Sequence, residues 1–166
     1  MQRIIVIGCP GSGKTTFSNK LAATTGLQLY HLDAIWHKAD RTHISRDEFD
    51  ERLTEILERD SWIIDGHYSR TLERRMAACD TVILFDLPLA DCLSGARARL
   101  GEPRPDIPWV DTELDPTFAA EIERFEKENL PTVYALLERC KEGRRVEIFK
   151  SREAAYNFIN NPEQLH

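Results

Sequence analysis

The sequence is short of every feature that would place it outside the cytoplasm or on a metal-stapled scaffold. Its four cysteines, Cys9, Cys79, Cys92 and Cys140, are scattered, with no CxxC pair and no histidines at zinc-finger spacing. A disulfide framework and a structural zinc site are therefore set aside in favour of free, buried thiols. No apolar run approaches the roughly 18 residues of a membrane span. The N-terminal MQRIIVIGCPGSG turns glycine-rich too early for the hydrophobic region of a secretory signal. The chain is expected to be cytoplasmic, with no membrane partner. Positive charge is also scarce, with 22 lysines and arginines against 28 acids and a net charge of -6. No basic run stands out, which argues against direct nucleic-acid binding. With 42% hydrophobic and 30% charged residues over 166 positions, the chain reads as one ordinary globular domain, 1–166. At this length it can bury about 70% of its unfolded surface without staples.

The hydrophobic pattern alternates strand-like and helix-like segments. RIIVIG, residues 3–8, is a β-branched apolar run suited to a strand buried on both faces. A helix is predicted from Gly13 to Thr25, with Phe17, Leu21 and Ala22 facing the core and Gly26 ending it. LQLYHLD, residues 27–33, reads as strand two. Ser45 and Glu48 form a capping box before a helix that runs to about Glu58. SWIID (61–65), TVILFD (81–86) and RVEIF (145–149) read as strands three to five. Helices are expected over 71–78, 89–100 and from Ser151 to Ile159, where Asn160, Asn161 and Pro162 end the last. Residues 101–116 hold four prolines, so they form neither a regular helix nor a central strand and read as an exposed flap. Asp115-Pro116 starts a long helix that Pro131 must kink or restart before Cys140. Alternating strands and helices give an α/β fold with a parallel sheet.

The segment Gly8-Cys9-Pro10-Gly11-Ser12-Gly13-Lys14-Thr15 fits GxxxxGK[ST], and it lies between an apolar strand and a helix, where such a loop works. Its glycines let backbone N–H groups wrap a phosphate, and the helix N-terminus adds positive potential. Lys14 can neutralise the β and γ phosphates of ATP. Thr15 offers a hydroxyl to Mg²⁺, and Thr16 continues the cradle into the helix. In an open parallel sheet ligands gather at the carboxyl ends of the strands. Asp33, ending strand two, and Asp65, ending strand three, meet that condition, with Asp86 on strand four as a third candidate. Trp36, His67 and Tyr68 follow two of these strand ends and either stack on an acceptor ring or pack at the rim. His31, His37 and His43 recur six apart, which is not a same-face helical spacing, so no metal site is read there.

These motifs resemble the adenylate-kinase-like branch of small P-loop kinases. WIIDGHYSRTL, residues 62–72, is similar to their FLLDGFPRT segment with one extra residue. The resemblance is closest to the bacterial topology modulation proteins, which share GCPGSGKT, LYHLD, a WIIDG-(H/N)-YSRT segment and a flap carrying RPD. It implies a three-layer P-loop fold with five parallel strands in the order 2-3-1-4-5, helices on both faces and a flexible lid at about 97–116. It further implies that Asp65 orders Mg²⁺, that Gly66 lets substrate approach closely, and that Arg70 grips an acceptor's anionic group. Those kinases place two arginines four apart at the root of the lid. Here Gly95 stands in the first position against Arg99, with Arg97 between them. Arg97, Arg99 and Arg104 would bring positive charge over a triphosphate and exclude water.

The expected activity is ATP- and Mg²⁺-dependent phosphoryl transfer to a small acceptor, either a nucleoside-type hydroxyl or a nucleotide phosphate. Lys14, Asp33, Arg97 and Arg99 would be catalytic. Trp36, Gly66, Tyr68 and Arg70, with Asp33, would bind the acceptor. The alternative is a nucleotide-dependent regulatory ATPase that acts on a protein partner. The sequence carries no signal for oligomeric state.

Overall fold

The structure, a computed structural model, describes residues 1–165. Residue 166, the last of the expected domain, lies outside the described residues. β1 (Arg3–Gly8) is the central strand, and Ile4 to Ile7 are wholly buried because both faces of the sheet are covered. Burying each such side chain contributes about 1.5–3 kcal/mol relative to exposing it. The loop after β1 leads into α1 (Lys14–Thr25), which Gly26 closes in the left-handed conformation.

β2 is shorter than its sequence suggests, covering Leu29–His31, and the chain then turns at once into α2 (Leu32–Trp36). Asp33 therefore does not end strand two. It sits in the first turn of α2, where a carboxylate is favoured by the helix dipole. Leu32 is wholly buried beneath it. α3 (Arg46–Leu57) starts at the capping box, where the Ser45 hydroxyl accepts from the Glu48 amide. β3 (Trp62–Asp65), α4 (Ser69–Ala78), β4 (Thr81–Phe85) and α5 (Leu89–Ala98) come next along the chain.

Beyond α5 the flap has no regular secondary structure until α6 (Pro116–Arg124), whose Asp115 cap accepts from the Thr117 and Phe118 amides. It is not fully exposed as expected, since Asp106 and Ile107 are buried. The helical run from α6 restarts at Pro131, as expected. One π turn, Phe125–Asn129, joins α6 to α7 (Leu130–Cys140), with Pro131 in the first turn of α7, where its missing N–H is least felt. β5 (Arg145–Phe149) and α8 (Arg152–Ile159), capped by Ser151, complete the fold before a short 3₁₀ turn at Pro162–Leu165.

All five strands are parallel, in the order β2-β3-β1-β4-β5. Alternation along the strands divides the core into two layers. Ile4, Val6, Ile83 and Phe85 meet Phe17 and Leu21 of α1 and Phe158 of α8, while Ile5, Ile7, Ile64 and Leu84 meet Phe49 of α3, Met76 of α4 and Val133 of α7. This is the three-layer architecture expected, and it turns the carboxyl ends of β1, β2 and β3 towards one cleft. Cys9, Cys79 and Cys92 are free and buried; Cys140 is free and half-buried. Among the described residues, no helix is long and apolar enough to cross a membrane.

Candidate active site

The loop after β1 is shaped to receive an anion. Gly13 caps α1 with φ near 102° and offers no side chain, and the first turn of α1 carries no acid, so its N–H groups are left for a ligand. Gly11 is required for a different reason. A methyl group there would come within 2.1 Å of the Cys92 carbonyl oxygen, and one at Gly95 within 2.0 Å of the Gly11 carbonyl oxygen. The two glycines let α5 lie against the loop, which accounts for glycine at both positions. Arg152, at the start of α8, ties the same junction by donating to the carbonyls of Gly11 (2.9 Å) and Asp91 (2.7 Å).

Lys14 curls back over the loop and donates to the Cys9 carbonyl at 2.7 Å. Burial lowers its pKa, and the nearby Asp65 carboxylate opposes the shift. Asp65, 4% exposed at the end of β3, lies beside it. Its Oδ2 is 3.1 Å from the Thr15 hydroxyl and 2.8 Å from His31 Nδ1, while its Oδ1 is buried with no partner. A second carboxylate reaches the same hydroxyl from the flap. Asp106 Oδ2 is 3.4 Å from Thr15 Oγ1, and Asp106 is doubly bonded to Arg104. Burial alone would raise the Asp106 pKa, but the Arg104 guanidinium holds it below the usual carboxylate range. An orphaned carboxylate oxygen, a hydroxyl and a second carboxylate at the foot of a phosphate cradle suit Mg²⁺, whose ligands are hard oxygens.

Asp33, Trp36, Gly66 and Tyr68 line the same cleft as the P-loop residues Gly8, Pro10, Gly11, Gly13, Lys14, Thr15 and Thr16. Ser12 is wholly buried behind the loop, its hydroxyl without a partner. The Tyr68 hydroxyl donates to Asp33 Oδ1 at 2.7 Å, and its ring stacks on Phe49. Tyr68 has φ near 35°, an uncommon conformation for a non-glycine residue. Trp36 is half rim and half available, because one face stacks on His43 at 4.3 Å between centroids. Gly66 serves packing as well as access, since a methyl group there would press on Leu32 at 3.0 Å. His67 also lines the cleft, its ring edge-on to Phe125.

Not every expected residue arrives. Arg70 lies outside the cleft lining, donating to both carboxylate oxygens of Asp50 on α3 at 2.7 and 2.8 Å. Arg97 is exposed on the outer side of α5 and does not line the cleft, whereas Arg99 and Arg104 do. Asp86 is held by Tyr134 and Lys150, also outside the lining.

Sequence reasoning missed Arg75. Its guanidinium is wholly buried under the β3–α4 loop, where it donates to the carbonyls of Gly66, His67 and Tyr68 and to the Thr71 hydroxyl. Burial draws its pKa down to about 10, so it remains charged at neutral pH. Arg75 thus fixes the strained turn that presents Tyr68 to Asp33. Arg75→Met should lower unfolding free energy by about 2–4 kcal/mol in urea titrations, because loop carbonyls lose their donors in a dry site. An unchanged unfolding midpoint would show that water replaces the guanidinium. Arg152 and Asp106 were missed as well. Arg152 was accessible through its place just past a strand's carboxyl end, whereas Asp106 lay in a segment read as exposed.

The cleft holds about 1660 Å³. Single-ligand pockets are roughly 300–1,000 Å³, so it has room for two small molecules side by side.

No known family profile matches the chain, and no curated protein matches it in sequence. Solved structures do match in fold. A shikimate kinase from Acinetobacter baumannii in complex with shikimate superposes with a TM-score of 0.63 at 17% identity, covering 99% of this chain and 92% of that one. A gluconokinase from Sinorhizobium meliloti 1021 superposes with a TM-score of 0.53 at 13% identity, covering 96% of this chain and 87% of that one.

Proposed function

We propose that the protein transfers the γ-phosphoryl group of ATP, with Mg²⁺, to a hydroxyl of a small acceptor. The observation that carries this reading is one cleft in which a phosphate cradle at a helix N-terminus faces a carboxylate, Asp33, held by a tyrosine hydroxyl. The likeness of fold to two proteins named as small-molecule kinases supports it.

Backbone amides of Gly11 to Thr16 hold the β and γ phosphates, and Lys14 swings from the Cys9 carbonyl onto them. Thr15 and Asp65 would hold Mg²⁺, with Asp106 beside them, and the ion would supply neutralisation of phosphate charge there. Asp33 accepts the proton of the attacking hydroxyl as that oxygen bonds to the γ phosphorus and the bond to the β–γ bridging oxygen breaks. The Tyr68 hydroxyl keeps Asp33 aimed. Arg99, lining the cleft at the root of the flap, offsets charge on the transferring group, while Arg104 holds Asp106 in place. Most of the catalytic effect comes from positioning and charge stabilisation.

The test is ADP release with and without a panel of hydroxyl compounds. A slow basal rate, stimulated by one compound with stoichiometric appearance of its phosphorylated form, is the expected result. A rate that no acceptor alters would instead favour a regulatory ATPase.

A further inference from the structure

The charges around Asp33 carry the reading of the acceptor further. Of the elements that surround it, α2 and the β3–α4 loop carry no lysine or arginine, and the three arginines of α4 are each engaged within the protein. Arg70 is spent on Asp50, and Arg74 donates to the Thr54 hydroxyl. Arg75 lies beneath the loop with its donors on backbone carbonyls. Lys38 and Arg41, on the turn beyond α2, are outside the cleft lining, and the Arg41 guanidinium lies over the Trp109 ring at 5.4 Å. On the flap, Arg104 is doubly bonded to Asp106, and Arg99 sits 5.4 Å from the Phe118 ring at the flap root. The other lysines and arginines that line the cleft, Lys14, Lys20, Arg124 and Arg152, belong to the P-loop, to α1, to the end of α6 and to the start of α8. Lys14 and Arg99 do feel the Asp33 charge, but the phosphotransfer reading commits both to the phosphates of ATP.

What this end of the cleft does present is Asp33 and aromatic rings. Trp36 and Tyr68 line it, each with one face already stacked, on His43 and on Phe49, and Trp109 of the flap lines it edge-on to His37 at 5.2 Å. Rings of this kind take the flat face of a ring compound. A carboxylate takes hydroxyl donors, and it repels a second anion unless a cation intervenes. We propose that the acceptor is an uncharged, ring-bearing hydroxyl compound of nucleoside type, bound by Asp33 through its hydroxyls and by Trp36, Tyr68 and Trp109 through its ring. Sugar acids and nucleotides are disfavoured by the same geometry.

The inference rests on the phosphotransfer reading, and binding tests it separately from turnover. Adenosine, cytidine, guanosine and uridine are titrated against their 5′-monophosphates, following tryptophan fluorescence from Trp36 and Trp109 and heat by calorimetry. At least one nucleoside should bind about tenfold or more tightly than its monophosphate, since like charges facing each other in a half-buried site weaken binding by at least that factor. Asp33→Asn should shrink that preference, because the carboxylate that repels the monophosphate is gone, while Arg70→Ala should leave it unchanged. Equal or tighter binding of a monophosphate, or no binding by any nucleoside, overturns the proposal. ATP hydrolysis that depends on Lys14 would still stand in that event, so loss of the acceptor class and loss of the kinase reading are told apart.

Discussion

Lys14→Ala should lower ATP turnover about 10²–10³-fold while leaving the melting temperature unchanged or slightly raised. The size comes from removing one charge-assisted contact to developing phosphate charge in a water-poor site, about 2.7–4 kcal/mol. Stability should not fall, because the ammonium has one hydrogen-bond partner, the Cys9 carbonyl, and burial disfavours its charged form. Its deletion removes an unfavourable desolvation without opening the core. Function and stability are opposed at this residue, as they often are where a charge is held ready for a ligand. Measured kcat alongside a thermal melt separates the two effects. Turnover within a factor of three of the natural protein would remove the P-loop from the mechanism, whereas a melt lowered by many degrees would mean that the side chain is structural.

The P-loop was legible because its chemistry is written in contiguous residues. Gly8 to Thr15 need only the strand before them and the helix after them, and both are marked by local pattern. The strand order was legible through resemblance, since nothing in an apolar run says which neighbour it pairs with. α2 was not legible. LDAIW is a single helical turn too short to show periodicity, and its leucine reads as one more apolar residue of the strand before it. Arg75 looks from sequence like any exposed helical arginine in TLERRMAA; its burial depends on carbonyls in a turn whose shape the sequence does not display. Arg70 illustrates the reverse. Its place after WIIDG suggests an anion grip, but Asp50, twenty residues away on α3, claims its guanidinium. Asp106 was hidden for a third reason. Four prolines rule out regular structure in the flap, yet they do not keep Asp106 and Ile107 from being buried against the rest of the fold.

Asp33→Asn should lower turnover with the acceptor about 10²–10⁴-fold, the usual range for losing a positioned base. The substitution is nearly isosteric, and the Tyr68 hydroxyl can still donate to the remaining oxygen at position 33, so the site keeps its shape and loses only its proton acceptor. The fall should therefore appear mainly in kcat, with a smaller change in acceptor KM. Arg70→Ala provides the contrast. Its pairing with Asp50 is exposed, and such pairs contribute about 0–1 kcal/mol, so both stability and turnover should stay close to those of the natural protein. A phosphate acceptor predicts the opposite order. It arrives already ionised and gains little from a base, but it needs a cation, and Arg70 would have to leave Asp50 to supply one. Steady-state kinetics on the two variants decides between these cases. A near-normal rate for Asp33→Asn beside a collapsed Arg70→Ala would mean that α4 rearranges on binding and that the acceptor presents a phosphate rather than a hydroxyl.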